Sequence, residues 1–266
     1  MSLPRRSKRA LSVPLTTLVL ASVLISVAIV ALYASNEMVE IRSQDIELQQ
    51  AQGAYVLLAS IIEEVAGEPE SASYVLVSSR TGGVRWQPSV RTLSVEINGG
   101  AWNPPLLQNV QLDDLTYYSG ERIAAADEYL RGNTSRIVSN IRNALVAVYV
   151  NQSGGGYVVL DTARLLVVNE GSFPYLQSAM SYNTYNVVHL TLIRLALGDA
   201  RGSGHVRIKA RCIDVSTDAQ LFPGQNSMTV TLNLGGQQES LTVSGDPTAD
   251  GTIVKVDLRT VEISLS

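Results

Sequence analysis

The sequence predicts an α+β protein in which one long N-terminal helix, apolar enough at its start to span a membrane, precedes an antiparallel β-sandwich-like domain. Three observations predict this fold. Residues 10–36 carry no charged side chain, and the apolar residues that follow recur at heptad spacing as far as Gly67. Beyond Pro69, apolar and polar residues alternate in short runs between glycine-rich turns. The expected divisions are a basic leader at 1–10, a transmembrane and spine helix at 11–66 and a β-rich extracytoplasmic domain at 67–266.

The N-terminal leader is basic and indicates how the chain is oriented. Its four bases, with no acid among them, are Arg5, Arg6, Lys8 and Arg9. Basic residues beside a membrane helix stay in the cytoplasm, so we expect the chain after Asn36 to lie outside. As a helix, residues 10–36 would be about 40 Å long, more than the ~30 Å hydrocarbon core. A cleaved secretory signal has an apolar core of only about 7–15 residues, so the length favours a retained helix.

The helix is expected to begin just after the leader and to continue past the membrane. Ser12 is a suitable N-cap, and Pro14 falls in the first turn, where the missing N–H is not needed. Two rows of mainly apolar residues then repeat every seven positions: Ile41, Leu48, Tyr55 and Ile62, and Gln44, Ala51, Leu58 and Val65. This heptad stripe predicts one helix over residues 12–66. Two interpretations stay open, a stripe that lies on its own domain and a spine that packs against other helices.

The leader and the start of the helix resemble a known kind of signal. The residues concerned are Lys8-Arg9-Ala10 followed by Leu11-Ser12-Val13-Pro14-Leu15-Thr16-Thr17-Leu18-Val19-Leu20. They are similar to the class III signal of archaeal type IV pilins and pilin-like surface proteins, and residues 186–195 resemble the β-domains of those proteins. The resemblance implies that prepilin peptidase cuts between Ala10 and Leu11. Bacterial pilins usually carry Glu at the fifth position after the cut, where this chain has Leu15, so the likeness is to archaeal relatives.

Past Pro69, the sequence predicts strands, turns and one short helix. A strand over 93–97 precedes the turn Asn98-Gly99-Gly100, and a helix is expected over 121–131, before Gly132. The remaining strands are expected in pairs around turns: 144–150 with 157–168, 187–197 with 205–215, and 228–234 with the strand that contains Leu241 and Val243. Serial hairpins of this kind predict antiparallel sheets.

The last strand changes the phase of its apolar residues. Val254, Val256 and Leu258 are even-numbered, whereas Val261, Ile263 and Leu265 are odd-numbered. Because successive side chains of a strand point to opposite faces, one of these sets would face water in a regular strand with one buried face. We therefore expect a bulge or a break near Arg259.

The chemistry-bearing residues are few, which argues against an enzyme. His189 and His205 are the only histidines and Cys212 is the only cysteine, and no metalloprotease, nucleophile-elbow or nucleotide-binding motif is present. No cofactor and no metal site is therefore predicted, and Cys212 is expected to be a small core residue. After residue 10 the chain has 16 basic and 24 acidic residues. That negative balance argues against nucleic acid as a partner.

Three weaker signals lie in the β-rich domain. The side chains of His205, Arg207, Lys209 and Arg211 share one strand face, which indicates either a docking stripe for an acidic partner or a solvated sheet face. Residues 246–251 partly match a calcium loop, although a hairpin turn is the simpler interpretation. Asn133 and Asn151 begin N-x-S sequons and are the candidate glycosylation sites, provided that the domain is exported.

The sequence thus favours a pilin-like structural subunit of a surface filament or of its assembly machinery. The partners expected from the resemblance are the membrane, other pilin-like subunits and prepilin peptidase. The alternative is a membrane-tethered binding module whose β-domain captures a ligand or a partner. Cleavage between Ala10 and Leu11 distinguishes the two, because a tethered module would keep its basic leader.

Overall fold

A computed structural model describes residues 12–79, 82–120, 123, 126–139, 144–152, 155–178, 181–200 and 204–266. One helix, α1 at Ser12–Gly67, comes first, and the rest of the described chain is mainly β-strand. The predicted α+β fold is therefore confirmed.

Helix α1 is continuous from the membrane-type segment into the domain. Its 56 residues span about 84 Å, and it includes Gly53 without interruption. The helix ends at Gly67, where the hydroxyl of Ser71 donates to the carbonyls of Val65 at 2.8 Å and Glu68 at 2.6 Å. The carbonyl of Val65, one of those that a helix end leaves without an intrahelical partner, is thereby satisfied. The predicted single helix over 12–66 is confirmed, with one further residue.

The strands follow in chain order. Their bounds are β1 Ala72–Ser79, β2 Gly83–Ile97, β3 Val110–Tyr118, β4 Glu128–Arg131, β5 Ile137–Val138, β6 Ala147–Asn151, β7 Tyr157–Asp161, β8 Leu165–Ser178, β9 Ser181–Ala200, β10 Gly204–Pro223, β11 Ser227–Leu234, β12 Gln237–Ser244 and β13 Gly251–Leu265. Within the described residues they form sheet A, in the order β1-β10-β13-β9-β8-β5, and sheet B, in the order β12-β11-β2-β3-β7-β6-β4. Pairing is antiparallel except for β13 with β9 and β5 with β8.

Hairpins that close through short local turns were predicted correctly. Strands β11 and β12 pair across Gly235-Gly236, and β6 pairs with β7. The strand expected over 157–168 is instead two strands, because the chain turns a corner at residues 162–164 and passes from β7 in sheet B to β8 in sheet A. The strand at 93–97 and its turn are present as the end of β2 and residues 98–100, which all have positive φ.

The hairpin expected between β9 and β10 is wrong. Strand β13 lies between them, antiparallel to β10 and parallel to β9. In this central position both edges of β13 are paired and both of its faces are covered, and most of its residues are accordingly buried. The segment 246–251 is not a hairpin turn either, because it connects β12 in sheet B to β13 in sheet A.

Two further expectations are corrected. Residues 128–131, the last part of the predicted helix over 121–131, form strand β4, where the ring of Tyr129 packs 5.5 Å from that of Tyr149 on β6. Strand β13 has no bulge or break near Arg259, since its register with β9 is unbroken there. The register shift is in the partner strand β10, between Cys212 and Asp214.

The phase change in β13 reflects two separate hydrophobic cores. The helix core joins the buried side of α1 to both sheets and contains Val261 and Ile263. The sheet core contains Val254, Val256 and Leu258, which pack with residues of β2 and β11. Each apolar set of β13 is therefore buried, although the two sets lie on opposite faces.

The direction of the strands defines a distal end of the domain, away from the apolar half of α1. After Gly67 the chain reverses direction, and β1 packs along α1 through Val75 and Val77. Strand β10 is antiparallel to β1, and β13 and β9 are antiparallel to β10. The N-terminal ends of β9 and β13 consequently lie at the distal end.

Candidate functional site

The first half of α1 is an apolar surface that its own domain does not cover. The large apolar side chains between Leu15 and Tyr33 are between 53% and 71% exposed. The helix described over Leu15–Gly67 is long and apolar enough to span a membrane. A rod that is apolar on every face is stable only in lipid or among other apolar helices.

Exposed apolar surface continues on α1 beyond the uncharged segment. Met38 is 65% exposed, Val39 64% and Ile46 56%. Residues 36 to 46 rise about 15 Å along the helix axis, so this surface lies past the end of a segment that already exceeds the hydrocarbon core. The heptad residue Ile41 belongs to the same surface, at 38% exposed.

The rest of the heptad stripe lies on the protein's own domain. Seven of its eight residues, from Gln44 to Val65, are buried, and the apolar ones belong to the helix core. The interpretation of the stripe as a contact with its own sheets is therefore correct for this part of α1. Any contact with other helices must use the remaining faces.

Two tyrosines lie at the centre of this contact. The rings of Tyr55 on α1 and Tyr117 on β3 meet edge to face, with centroids 6.5 Å apart. Burial, with the neighbouring Tyr117, raises the pKa of Tyr55 well above its ordinary value. Burial and the carboxylate of Glu47 raise the pKa of Tyr117 to about 12. Both hydroxyls therefore stay protonated at neutral pH.

The C-terminal end of α1 is fixed to sheet A by Arg259. The guanidinium donates to the carbonyl oxygen of Ala66 at 2.8 Å, and a cation at this end also favours the helix dipole. Arg259 donates as well to Asp257 Oδ2 at 3.1 Å, and the hydroxyl of Thr217 donates to Asp257 Oδ1 at 3.0 Å. Burial raises the pKa of Asp257, but these hydrogen bonds and the nearby His189 outweigh burial and lower it.

A cleft of about 310 Å³ opens beside this end of α1, lined in part by Glu63, Leu166, His189 and Arg259. His189 Nδ1 is 3.0 Å from Glu170 Oε1, and Nε2 is 3.1 Å from Asp257 Oδ2. Both oxygens of Asp257 accept hydrogen bonds, one from Arg259 and one from Thr217. Within the described part of the chain, no three His, Cys, Asp or Glu side chains come together as a metal site.

Sequence reasoning singled out His189 but missed its partners. Glu170 is on the neighbouring strand β8, and Asp257 is on β13, which reaches β9 only through a parallel pairing. Strands that pair in parallel are far apart in the chain, so no local sequence pattern identifies which residues will meet.

The sequon residue Asn133 has a structural role. Its Oδ1 accepts hydrogen bonds from the Arg164 guanidinium at 2.5 Å and from the backbone N–H of Ser135 at 3.2 Å. Arg164 is only 2% exposed and also donates to the carbonyls of Ser135 and Ala144. Burial lowers the pKa of Arg164. The second sequon residue, Asn151, is exposed at the end of β6.

The basic stripe of β10 is a partly engaged sheet face. Arg207 lies 4.7 Å from the ring centroid of Tyr74 on β1, and Arg211 forms an ion pair with Glu70. Lys209 is exposed between them, and the side chain of His205 lies outside the described residues. On the opposite face the apolar side chains are buried, including Cys212, which confirms Cys212 as a core residue.

In the loop that partly matches a calcium site, Asp246 and Asp250 accept hydrogen bonds from other groups of the protein. Asp246 Oδ1 accepts from the N–H of Thr248 at 2.8 Å and from its hydroxyl at 2.7 Å. Hydrogen bonds from that hydroxyl and that N–H lower the pKa of Asp246. Asp250 Oδ2 accepts from the N–H of Thr184 at 2.8 Å.

The predicted processing site, Ala10 and Leu11, lies outside the described residues. Comparisons with protein-family models, with curated proteins and with solved structures found no match.

Proposed function

We propose that the chain is a pilin-like structural subunit of a type IV-type surface filament or of the machinery that assembles one. One observation carries the proposal: the exposed apolar surface of α1 continues past the membrane-type segment, through Met38, Val39 and Ile46. A helix that serves only as a lipid anchor would leave these apolar side chains in water, beyond the hydrocarbon core, whereas a bundle of sister helices would bury them.

The rigid attachment of α1 supports the same proposal. The helix has no break, its buried stripe packs in the helix core, and Arg259 holds its last turn. A subunit that is held in a filament through its helix needs this rigidity, because the helix must fix the position of its domain. In this proposal prepilin peptidase removes residues 1–10, and the released helix packs with other pilin-like subunits.

The test is the N-terminus of the protein isolated from its native membrane, read by sequencing and by intact mass. The proposal expects Leu11 as the first residue. Replacing Lys8, Arg9 and Ala10 should block both processing and surface assembly, whereas replacing Arg5 and Arg6 is the matched control that leaves the junction intact. A functional protein that keeps its leader would refute the proposal.

The second candidate is a membrane-tethered binding module, in which α1 stays in the membrane with its leader. The observation that favours it is the burial of seven of the eight heptad residues on the protein's own domain, which leaves those seven with no role in assembly. Both candidates place residues 1–10 in the cytoplasm and the β-rich domain outside. Protease treatment of intact cells should then remove the domain, and protection until the membrane is opened would contradict this orientation.

A further inference from the structure

The β8–β9 hairpin extends beyond sheet A as a two-stranded arm, here called the aromatic arm and formed by residues 171–176 and 182–186. Among the described residues, β5 pairs with β8 only at Leu165 and Leu166, and β13 pairs with β9 only from Asn186 onward. The arm therefore projects from the distal end of the domain. From Gly171 to Val188 the sequence contains no Asp, Glu, Lys, Arg or His, yet it contains Phe173, Tyr175, Tyr182 and Tyr185.

The base of the arm is firmly held. Asn186 donates to the carbonyl of Asp246 at 3.1 Å and accepts from the hydroxyl of Ser172 at 2.7 Å and from the N–H of Asp246 at 2.7 Å. An isolated two-stranded hairpin is only marginally stable in water, so these bonds are needed to hold the arm in place.

The backbone edges of the arm are protected against pairing with another strand. On β8, Pro174 has no N–H to donate, and register shifts occur after Asn169 and after Leu176. On β9, the N–H of Thr184 donates to Asp250 Oδ2 at 2.8 Å, and its carbonyl accepts from the N–H of Asp250 at 2.7 Å. Proline, bulges and covering loops are the means by which proteins prevent strand addition. Recognition by the arm must therefore use side chains.

One face of the arm collects the rings. The pairs Phe173 with Tyr185 and Tyr175 with Asn183 lie directly opposite one another across the two strands, so all four side chains share a face. The rings of Tyr175 and Tyr185 are 5.9 Å apart, and the Asn183 amide donates to the hydroxyl of Tyr185 at 2.9 Å. Phe173 is 45% exposed and Tyr175 38%. We call this face the ring platform. Tyr182 points to the other face, with Leu176.

The ring platform is too small for a stable protein interface. At ~200 Å² for each aromatic side chain, its three rings expose no more than roughly 250 Å². A specific protein interface covers about 800 Å² on each partner. The platform is closer in size to a site for a small ligand or for a few units of a polymer.

We propose that the ring platform binds neutral carbohydrate. The apolar faces of sugar rings pack on aromatic side chains, and sugar hydroxyls exchange hydrogen bonds with the phenol and amide groups that flank them. The arm's own residues carry no charge, so they offer no cation to attract anionic polymers and no charged group of their own to desolvate when a neutral ligand binds. The inference is independent of the proposed filament function, because it needs only an exported domain.

The test measures retention of the full-length chain, in detergent micelles, by insoluble cellulose, chitin and mannan, with anionic alginate gel as the charged comparison. We expect at least one neutral polymer to retain the protein, and retention to be unchanged at high salt because no ion pairs are involved. Tyr175→Ala and Tyr185→Ala should each weaken binding by about tenfold. Tyr175→Phe keeps the ring and should keep most of the binding.

The matched control is Tyr182→Ala, which removes an aromatic ring from the opposite face of the same arm and should leave binding within about twofold. Circular dichroism and the unfolding midpoint of each variant establish that the domain is folded. No retention by any neutral polymer, retention only by alginate, or equal losses in Tyr182→Ala and Tyr175→Ala would each overturn the proposal. It would equally fail if Tyr175→Ala changed the oligomeric mass but not the retention.

Discussion

Adjacent leucines on α1 provide a direct test of how the helix is attached to the domain. Leu58 is fully buried in the helix core, whereas Leu57 is 53% exposed. Truncation of Leu58 to alanine loses the transfer free energy of a buried leucine and leaves a cavity, which together cost about 3–5 kcal/mol of unfolding free energy. Truncation of Leu57 should cost less than about 1 kcal/mol. Both changes alter helix propensity equally, so the difference isolates the packing.

The assay is urea unfolding of the full-length chain in detergent micelles, followed by tryptophan fluorescence. Trp86 packs against the helix core and Trp102 against the sheet core, so single-tryptophan versions report on each core separately. The Leu58→Ala change should shift the Trp86 transition to lower urea. If both leucine variants lost similar stability, or if Leu58→Ala lost less than about 1 kcal/mol, the docked stripe would be refuted.

Three further predictions concern the ion pairs and the sequon. Asp161 is fully buried between Arg91 and Arg136. Asp161→Ala should lower the unfolding free energy of the protein by about 3–5 kcal/mol, as measured by urea unfolding. The control is Asp199→Ala, which removes an exposed carboxylate. Although burial raises the pKa of Asp161, the arginines outweigh it and lower the pKa. The stability from this carboxylate should therefore be complete above its unfolded pKa of about 3.9 and fall as the pH drops toward its folded pKa, and an acid titration of Asp161→Asn should lack this component. At the sequon, Ser135→Ala should remove any glycan mass without loss of stability, whereas Asn133→Gln should also lower the melting temperature, because Arg164 loses an acceptor. Equal melting temperatures for the two sequon variants would contradict the role given to Asn133.

The helix could be predicted because its signals are local. The uncharged segment and the heptad spacing fix the extent of α1, and they identify the buried residues from Leu48 to Val65 correctly. Tight turns such as Gly235-Gly236 likewise identify the strands that they join. In each case the pattern is short in sequence, and the packing agrees with it.

The order of strands in the sheets could not be predicted, because it depends on pairings between distant segments. The glycines at positions 198 and 204 predict a turn that would pair β9 with β10, but they do not reveal that β13 lies between the two strands. The phase change of β13 was visible in the sequence, yet its cause is a second core on the opposite face. The ring platform was missed for a related reason, since its rings come together only through the register of β8 with β9.

The central position of β13 has a consequence for how the domain folds. Strands β9 and β10 precede β13 in the chain, so each has an unpaired edge until residues 251–265 pair with them. Such non-local pairings slow folding, and open edges favour association with other chains. Sheet A is thus completed late in folding, when β13 pairs with β9 and β10 at the same time.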